Sequence, residues 1–204
     1  METHMHRRAA IAATGAVAIV VALVLAPQAV TADPLVGAAG LQQAVAAGNG
    51  AAYLKIDGVT TTTTTSSAPD HSNDIVLRSM DWAVTNSSTA SVGGGGGSGK
   101  PAFGRFTVAK QLDGATPKLL SLVASGSRVE SARVFLVRTD AKGNQLEAMQ
   151  YVLTGVLVVG DAESTNGAGT ETITLDFSKI QVTSFSGVTS SSTFGWDVAG
   201  NKKV

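Results

Sequence analysis

The side chains best suited to acid–base chemistry in this sequence lie in one short polar segment. His71 has an aspartate on either side, Asp70 and Asp74. A histidine oriented by a carboxylate could act as the base for a serine nucleophile. The oxygens of Asp70, Asn73 and Asp74 could instead hold calcium, but their spacing lacks the alternating ligands and final glutamate of a calcium-binding loop. We therefore expect His71 to be a solvated loop residue with neither a catalytic nor a metal-binding role.

Two pairs of carboxylates form the next arrangement that could do chemistry. Asp161 with Glu163, or Glu171 with Asp176, could supply the acid and the base of a glycoside hydrolase. The pattern places the members of these pairs in turns or on the solvent-facing side of a strand. Surface charge is therefore the favoured interpretation, and the sequence predicts no catalytic pair here.

A glycine-rich segment matches most of a phosphate-binding loop. Gly94 and Gly99-Lys100 have the spacing of that motif. The motif requires a serine or threonine next, which holds magnesium, and then a helix whose N–H groups bind the phosphates. The next residue here is Pro101, which has neither a hydroxyl nor an amide hydrogen, and strand-forming residues follow it. We therefore expect a loop that binds no nucleotide.

Composition excludes several further classes of site. The 204 residues include no cysteine, which rules out disulfides, thiol catalysis, cysteine-bound zinc and iron–sulfur clusters. Basic and acidic residues both number 15, so bulk charge would not attract nucleic acid. Hydrophobic residues make up 44% of the chain, which is enough for a folded core. We expect a non-enzymatic protein with no cofactor, no metal and no nucleic-acid partner.

The first 32 residues have the pattern of a secretory signal peptide. Two arginines precede an apolar stretch at 9–26, and small residues occupy the −3 and −1 positions before the bond between Ala32 and Asp33. Cleavage at that bond would deliver a protein that is secreted, periplasmic or attached to the cell surface. Retention of the segment as a membrane anchor stays open, as does the choice between the Sec and twin-arginine export routes.

The remaining chain has the pattern of strands around one short helix. Residues 33–50, rich in alanine and glycine, are expected to form a tether before a folded domain at 51–204. The helix is predicted to begin at Thr116, which can act as its cap, with Pro117 in the first helical position. Gly126 suits the position just after its end. Its apolar face is predicted to consist of Leu119, Leu120, Leu122 and Val123.

Alternating apolar residues predict the strands. They lie at 53–56, 75–84, 103–110, 133–138, 145–153, 156–159 and 170–180. In the second of these, Val76, Met80, Trp82 and Val84 are predicted to share one face, and Trp82 is expected to pack in the core. The threonines at 60–65 and the glycines at 93–97 are predicted as loops, and a final polar stretch after 180 precedes Phe194. The fold class is therefore mainly β, an antiparallel β-barrel or sandwich of two sheets with one short flanking α-helix.

Motifs along residues 51–203 together resemble one family. In order, they are Tyr53-Leu54-Lys55-Ile56-Asp57-Gly58, Asp74-Ile75 with Trp82, Gly99-Lys100-Pro101 with Phe103, Thr116-Pro117-Lys118-Leu119-Leu120, Leu175-Asp176-Phe177-Ser178-Lys179-Ile180, and Gly195-Trp196-Asp197. This series resembles the tube protein of type VI secretion systems, the haemolysin-coregulated protein (Hcp) family. The resemblance implies structural or assembly roles, and no catalytic role, for Tyr53, Lys55, Asp57, Gly58, Trp82, Lys100, Pro101, Pro117, Lys118, Leu119, Leu120, Trp196 and Asp197.

The resemblance also implies self-assembly. Family members form a hexameric ring, and their rings stack into a tube whose lumen can carry small effectors. The signal peptide departs from this pattern, because the contractile machine loads family members from the cytoplasm. An exported ring-forming protein is therefore the first interpretation. A working tube component of a type VI machine is an alternative, and so is a secreted β-sandwich that binds or hydrolyses a ligand, with Trp196 stacking on a sugar.

Overall fold

Eleven strands and one helix form the described part of the chain. The computed structural model describes residues 50–61, 71–86, 99–165, 169–187 and 189–204, without the side chains at 50, 190 and 191. The elements are β1 (Gly50–Ile56), β2 (Ile75–Asp81), β3 (Val84–Asn86), β4 (Pro101–Phe103), β5 (Phe106–Gln111), α1 (Thr116–Ser125), β6 (Arg128–Thr139), β7 (Gln145–Ser164), β8 (Thr170–Asp176), β9 (Lys179–Ser186), β10 (Thr189–Asp197) and β11 (Lys202–Lys203). The signal segment, the tether at 33–49, the threonines at 62–65 and the glycines at 93–97 lie outside the described residues.

Nine of the strands form one antiparallel sheet that closes on itself. Its order is β11-β10-β9-β7-β6-β1-β2-β5-β8, and an additional pairing joins β8 back to β7. The 20-residue strand β7 makes this closure possible because its first part pairs with β9 and its last part pairs with β8. Strands β3 and β4 form a separate two-stranded sheet. The predicted antiparallel barrel with one flanking helix is therefore confirmed.

The core lies inside this closed sheet. Its fully buried side chains include Leu54, Ile56, Phe106, Val108, Leu119, Leu153, Ile173 and Leu175. Strand β6 is apolar on both faces, as its sequence predicts. Val134 and Leu136 join the core, whereas Phe135 and Val137 form a second apolar cluster with Tyr53. The barrel wall is therefore packed on both sides around β6.

The helix lies where its end signals predict, with one correction. Pro117 occupies the first turn, and Gly126 ends the helix in the left-handed conformation with φ 61°. Thr116 is not the cap, because Ala115 occupies that position and makes no side-chain capping hydrogen bond; the Thr116 hydroxyl donates to Glu171. The apolar face is narrower than predicted: Leu119 and Leu122 are buried, whereas Leu120 is 42% exposed.

The predicted strand at 75–84 is wrong in its length and in its buried face. It divides into β2 and β3, and the pairing of β2 with β5 shifts register between Leu77 and Ser79. An irregularity of this kind reverses which residues face inward. Leu77 and Met80 are consequently both buried, whereas Val76 is 39% exposed.

Other strand predictions need smaller corrections. The segment 103–110 divides into β4 and β5, and the segment 170–180 divides into β8 and β9. The two strands predicted at 145–153 and 156–159 are one strand, β7, which continues through Gly155 at φ 63°. Thr61 is buried, although the threonine run was predicted as an exposed loop. The polar stretch after 180, to which no strand was assigned, pairs as the β9–β10 hairpin.

Candidate functional site

A groove of about 660 Å³ lies between the small β3–β4 sheet and the C-terminal strands. It is lined by Val84, Thr85, Asn86, Gly99, Lys100, Pro101, Phe103, Phe194, Trp196 and Asn201. Val84 pairs with Phe103, and Asn86 pairs with Pro101, so the two short strands form one side. Strand β10 and the turn after it form the other side.

Aromatic rings form the floor of this groove. The ring of Trp196 stacks on Phe103 at 6.1 Å and on Phe194 at 6.3 Å between centroids. Phe194 is 41% exposed. Trp82 packs behind Phe103 and against Phe106 and is half-buried, so its predicted place beside the core is correct. Exposed aromatic surface with polar neighbours is typical of a surface that binds another protein or a sugar ring.

The C-terminal residues hold Trp196 in position. Gly195 precedes it, and a Cβ on that glycine would lie 2.8 Å from the backbone oxygen of Val204. Trp196 pairs with Lys203 across β10 and β11. The Asp197 carboxylate accepts the N–H of Gly200 at 2.7 Å. The lack of a side chain at Gly195 therefore lets the end of the chain pass close beside β10.

A buried ionic cluster lies at the start of α1. Four oxygens surround Lys110 Nζ: the backbone oxygen of Gln111 at 2.7 Å, Asp113 Oδ1 at 2.8 Å, Thr116 Oγ1 at 3.2 Å and Glu171 Oε2 at 2.5 Å. Lys110 and Glu171 are both fully buried. The predicted solvent-facing position of Glu171 is wrong. Glu171 shares the inward face of β8 with Ile173.

Asp161 lies beside this cluster on β7. Burial, followed by the negative charge of Glu171, raises the pKa of Asp161 to about 7. The charge of Glu163 also raises this pKa, and Lys110 lowers it. Asp161 and Glu171 are therefore neighbours, although they belong to different predicted pairs of carboxylates. Asp176, the partner proposed there for Glu171, is exposed.

His71 is a buried residue, which contradicts its predicted place in a solvated loop. It is only 4% exposed, because its ring stacks on Tyr53 at 4.6 Å and also contacts Phe135 at 4.6 Å. Its Nδ1 lies 2.9 Å from Asp74 Oδ2, and its Nε2 lies 3.9 Å from Glu147. These contacts fix the ring against the second apolar cluster. The His71 ring therefore packs against one residue of β1 and one residue of β6.

The described residues contain no group of three or more histidine, cysteine, aspartate or glutamate side chains able to hold a metal ion. Strand β4 begins at Pro101, so a strand and not a helix follows Gly99-Lys100, as predicted. Among the described residues no helix is long and apolar enough to cross a membrane.

Comparison with known proteins decides the family. The family model described as type VI secretion system effector, Hcp, matches residues 53–183. The chain belongs to the Hcp family. The match begins in β1 and ends in β9, so it includes α1 and most of the nine-stranded sheet but not β10 and β11. The resemblance found in the sequence motifs is thereby confirmed, although Trp196 and Asp197 lie beyond the matched residues.

Solved structures of type VI secretion proteins share the fold. Hcp1 from Salmonella typhimurium is 25% identical with a TM-score of 0.60, and the match covers 76% of this chain and 99% of that chain. A type six secretion system protein is 22% identical with a TM-score of 0.67 and the same coverage. A type VI secretion system effector from Yersinia pestis is 24% identical, with a TM-score of 0.54, covering 72% of this chain and 99% of that chain. No curated protein matches the chain.

The residues that carry the Hcp resemblance do not form one site. Lys100, Pro101 and Trp196 meet at the groove, with Trp82 behind it. The others are distributed over the barrel. Tyr53 is in the second apolar cluster, and Lys55 is exposed on β1. Asp57 accepts the N–H of Ser131 at 3.0 Å, and Gly58 forms the turn after β1 with φ 76°. The remaining motif residues lie on α1: Pro117, Lys118, Leu119 and Leu120.

Proposed function

We propose that this protein is an exported, non-enzymatic structural protein whose barrels assemble into a hexameric ring. The observation that carries the proposal is membership of the Hcp family, whose model matches residues 53–183. Stacking of rings into a tube and carriage of small secreted effectors are further steps of the same proposal. The family-motif residues would then act through packing and assembly and not through chemistry.

The exposed apolar side chains support assembly. Val76, Val84, Leu112, Leu120 and Phe194 are between 36% and 42% exposed. Val84 and Phe194 lie in the groove, whereas Val76 on β2 and Leu120 on α1 do not line it. Contacts between different patches of neighbouring copies close into a ring when the rotation between copies closes. Apolar surface at several separate positions suits such contacts, because each copy must offer two complementary patches.

Light scattering on a sizing column tests the proposal. The exported protein should elute as one species with the mass of six subunits. A monomer at every concentration would contradict ring formation. It would favour the alternative of a secreted binding module, in which case adding glycans should shift the fluorescence of Trp196 in the groove.

The family description favours one alternative, a tube component that the type VI machine itself delivers. Export by the signal segment and delivery by the machine predict different results when the contractile sheath is deleted in the producing bacterium. We expect the extracellular amount to be unchanged and the exported protein to have the mass of a chain starting at Asp33. Loss of the protein from the medium in the sheath mutant, or a mass that includes residues 1–32, would favour the machine-delivered alternative.

A further inference from the structure

Two carboxyl groups meet at the seam where β8 closes the barrel against β7. Glu163 pairs with Glu171, and Asp161 pairs with Ile173, so these side chains project from the same face. Glu171 is fully buried, and its Oε1 has no hydrogen-bond partner among the described residues. Both carboxyl oxygens of Asp161 are also buried without a donor in that part of the chain. Three acceptor oxygens at this seam are therefore buried without a hydrogen-bond donor among the described residues.

Lys110 cannot supply the missing donor. Its ammonium group has three N–H bonds, and four oxygens already lie within 3.2 Å of Nζ. Thr116 donates its hydroxyl to Glu171 Oε2, the same oxygen that pairs with Lys110. The charge of Glu171 is thus balanced at Oε2 only, and Oε1 has no hydrogen-bond partner among the described residues.

A proton held between the two carboxyl groups would satisfy this arrangement. Two ionised carboxylates side by side repel each other, and burial raises the cost of each charge. If Asp161 is protonated, its O–H can donate to Glu171 Oε1, which needs a donor. The pKa of Asp161, raised to about 7 by burial and by Glu171, agrees with this geometry. The other charged groups beside the pair are Glu163, which disfavours ionisation of Asp161, and Lys110, which favours it; Asp113 is engaged with Lys110.

We propose that Asp161 and Glu171 bind one proton between them, and that loss of this proton at alkaline pH weakens the β7–β8 seam. The seam is where the sheet closes, so its weakening would loosen the barrel and leave the other strand pairs in place. Thr116 joins the start of α1 to Glu171, so the helix would loosen with the seam. The proposal holds whether or not the protein forms rings, because it concerns one subunit.

The expected pH dependence has a definite sign. The pKa of Asp161 is raised from its ordinary value of 3.8, so the folded state holds the proton more tightly than the unfolded state does. The stability that this proton provides is complete below about pH 4 and is lost as the pH rises through about 7. The folding equilibrium constant would change by at most about tenfold per pH unit in that window. Solvent that reaches the pair would make the change smaller.

Urea unfolding of three proteins at about pH 5 and about pH 8 tests the proposal, because these values bracket the titration. The urea midpoint of the wild type should be lower at about pH 8 than at about pH 5. Asp161→Asn does not titrate, and its amide can donate to Glu171, so its midpoint should change less and exceed the wild-type midpoint at the higher pH. Glu130→Gln, which removes an exposed carboxylate from β6, should follow the wild type. Equal pH dependence in the wild type and Asp161→Asn would overturn the proposal.

Two measurements on the wild-type protein keep the test independent of any variant. In a carbon-13 NMR titration of the carboxyl groups, one aspartate should titrate near pH 7, and titration of every aspartate below about pH 5 would contradict a shared proton. Amide hydrogen exchange, corrected for intrinsic rates, should rise at alkaline pH in 160–164 and 170–174 relative to β1 and β6. A uniform response across the barrel would refute the weakening of the seam.

Discussion

Replacing Lys110 by methionine is expected to lower the free energy of unfolding by about 3–5 kcal/mol. The substitution leaves Glu171 fully buried with no positive charge beside it. Asp113 loses the same partner, which lies 2.8 Å away in the wild type. Urea or thermal unfolding measures the loss of stability.

Two further variants separate the ion pair from a general effect of the substitution. Lys118→Met removes an exposed lysine of α1 and should change stability by no more than about 0.5 kcal/mol. The double variant Lys110→Met with Glu171→Met removes both buried charges and should recover most of the loss, because apolar side chains often replace a buried ion pair without cost. If Lys110→Met were as stable as Lys118→Met, the ionic cluster would not be important for stability.

Replacing Leu119 by alanine is expected to cost about 2–5 kcal/mol. Leu119 is fully buried on the face of α1 that packs into the core. Its neighbour provides the matched control, since Leu120 is 42% exposed and loses little contact when it is truncated. Leu120→Ala should therefore cost less than about 1 kcal/mol in an unfolding experiment. Equal losses for the two variants would contradict the placement of the helix on the barrel.

Local signals in the sequence predicted the helix ends well. The fixed φ of Pro117 and the left-handed conformation of Gly126 depend on neighbours within a few residues, and both are visible in the chain itself. The turn after β6 also depends on interactions between residues that are close in sequence. There the carboxylate of Asp140 accepts the N–H groups of Lys142 and Asn144, each at 2.8 Å.

Features that depend on distant strands were predicted less well. The stacking of His71 on Tyr53 and Phe135 requires β1 and β6 to lie beside it, which no local pattern of polar residues reveals. The register shift after Leu77 depends on the partner strand β5, so a strict alternation placed Val76 on the wrong face. Hairpin β9–β10 is rich in serine and threonine, so its sequence shows only a polar stretch after 180 and does not reveal the pairing of the two strands.

The buried acid in β8 could have been predicted. Residues two apart in a strand share a face, and Glu171 lies two positions before the core residue Ile173. Its burial then requires a cation, and Lys110 holds the same position on the inward face of β5, directly opposite. The motif residues of the groove were also present in the sequence, but their meeting depends on the pairing of β3 with β4 and on the path of β11.

Imaging of the assembled protein tests the central claim, that this Hcp family member is a ring-forming structural protein. Averaged negative-stain images of the exported protein should show particles with six-fold symmetry and a central opening. The same peak should have the mass of six subunits. Single-subunit particles with a monomer mass, at the highest concentration at which the protein stays soluble, would contradict ring formation and leave only the barrel fold in common with the family.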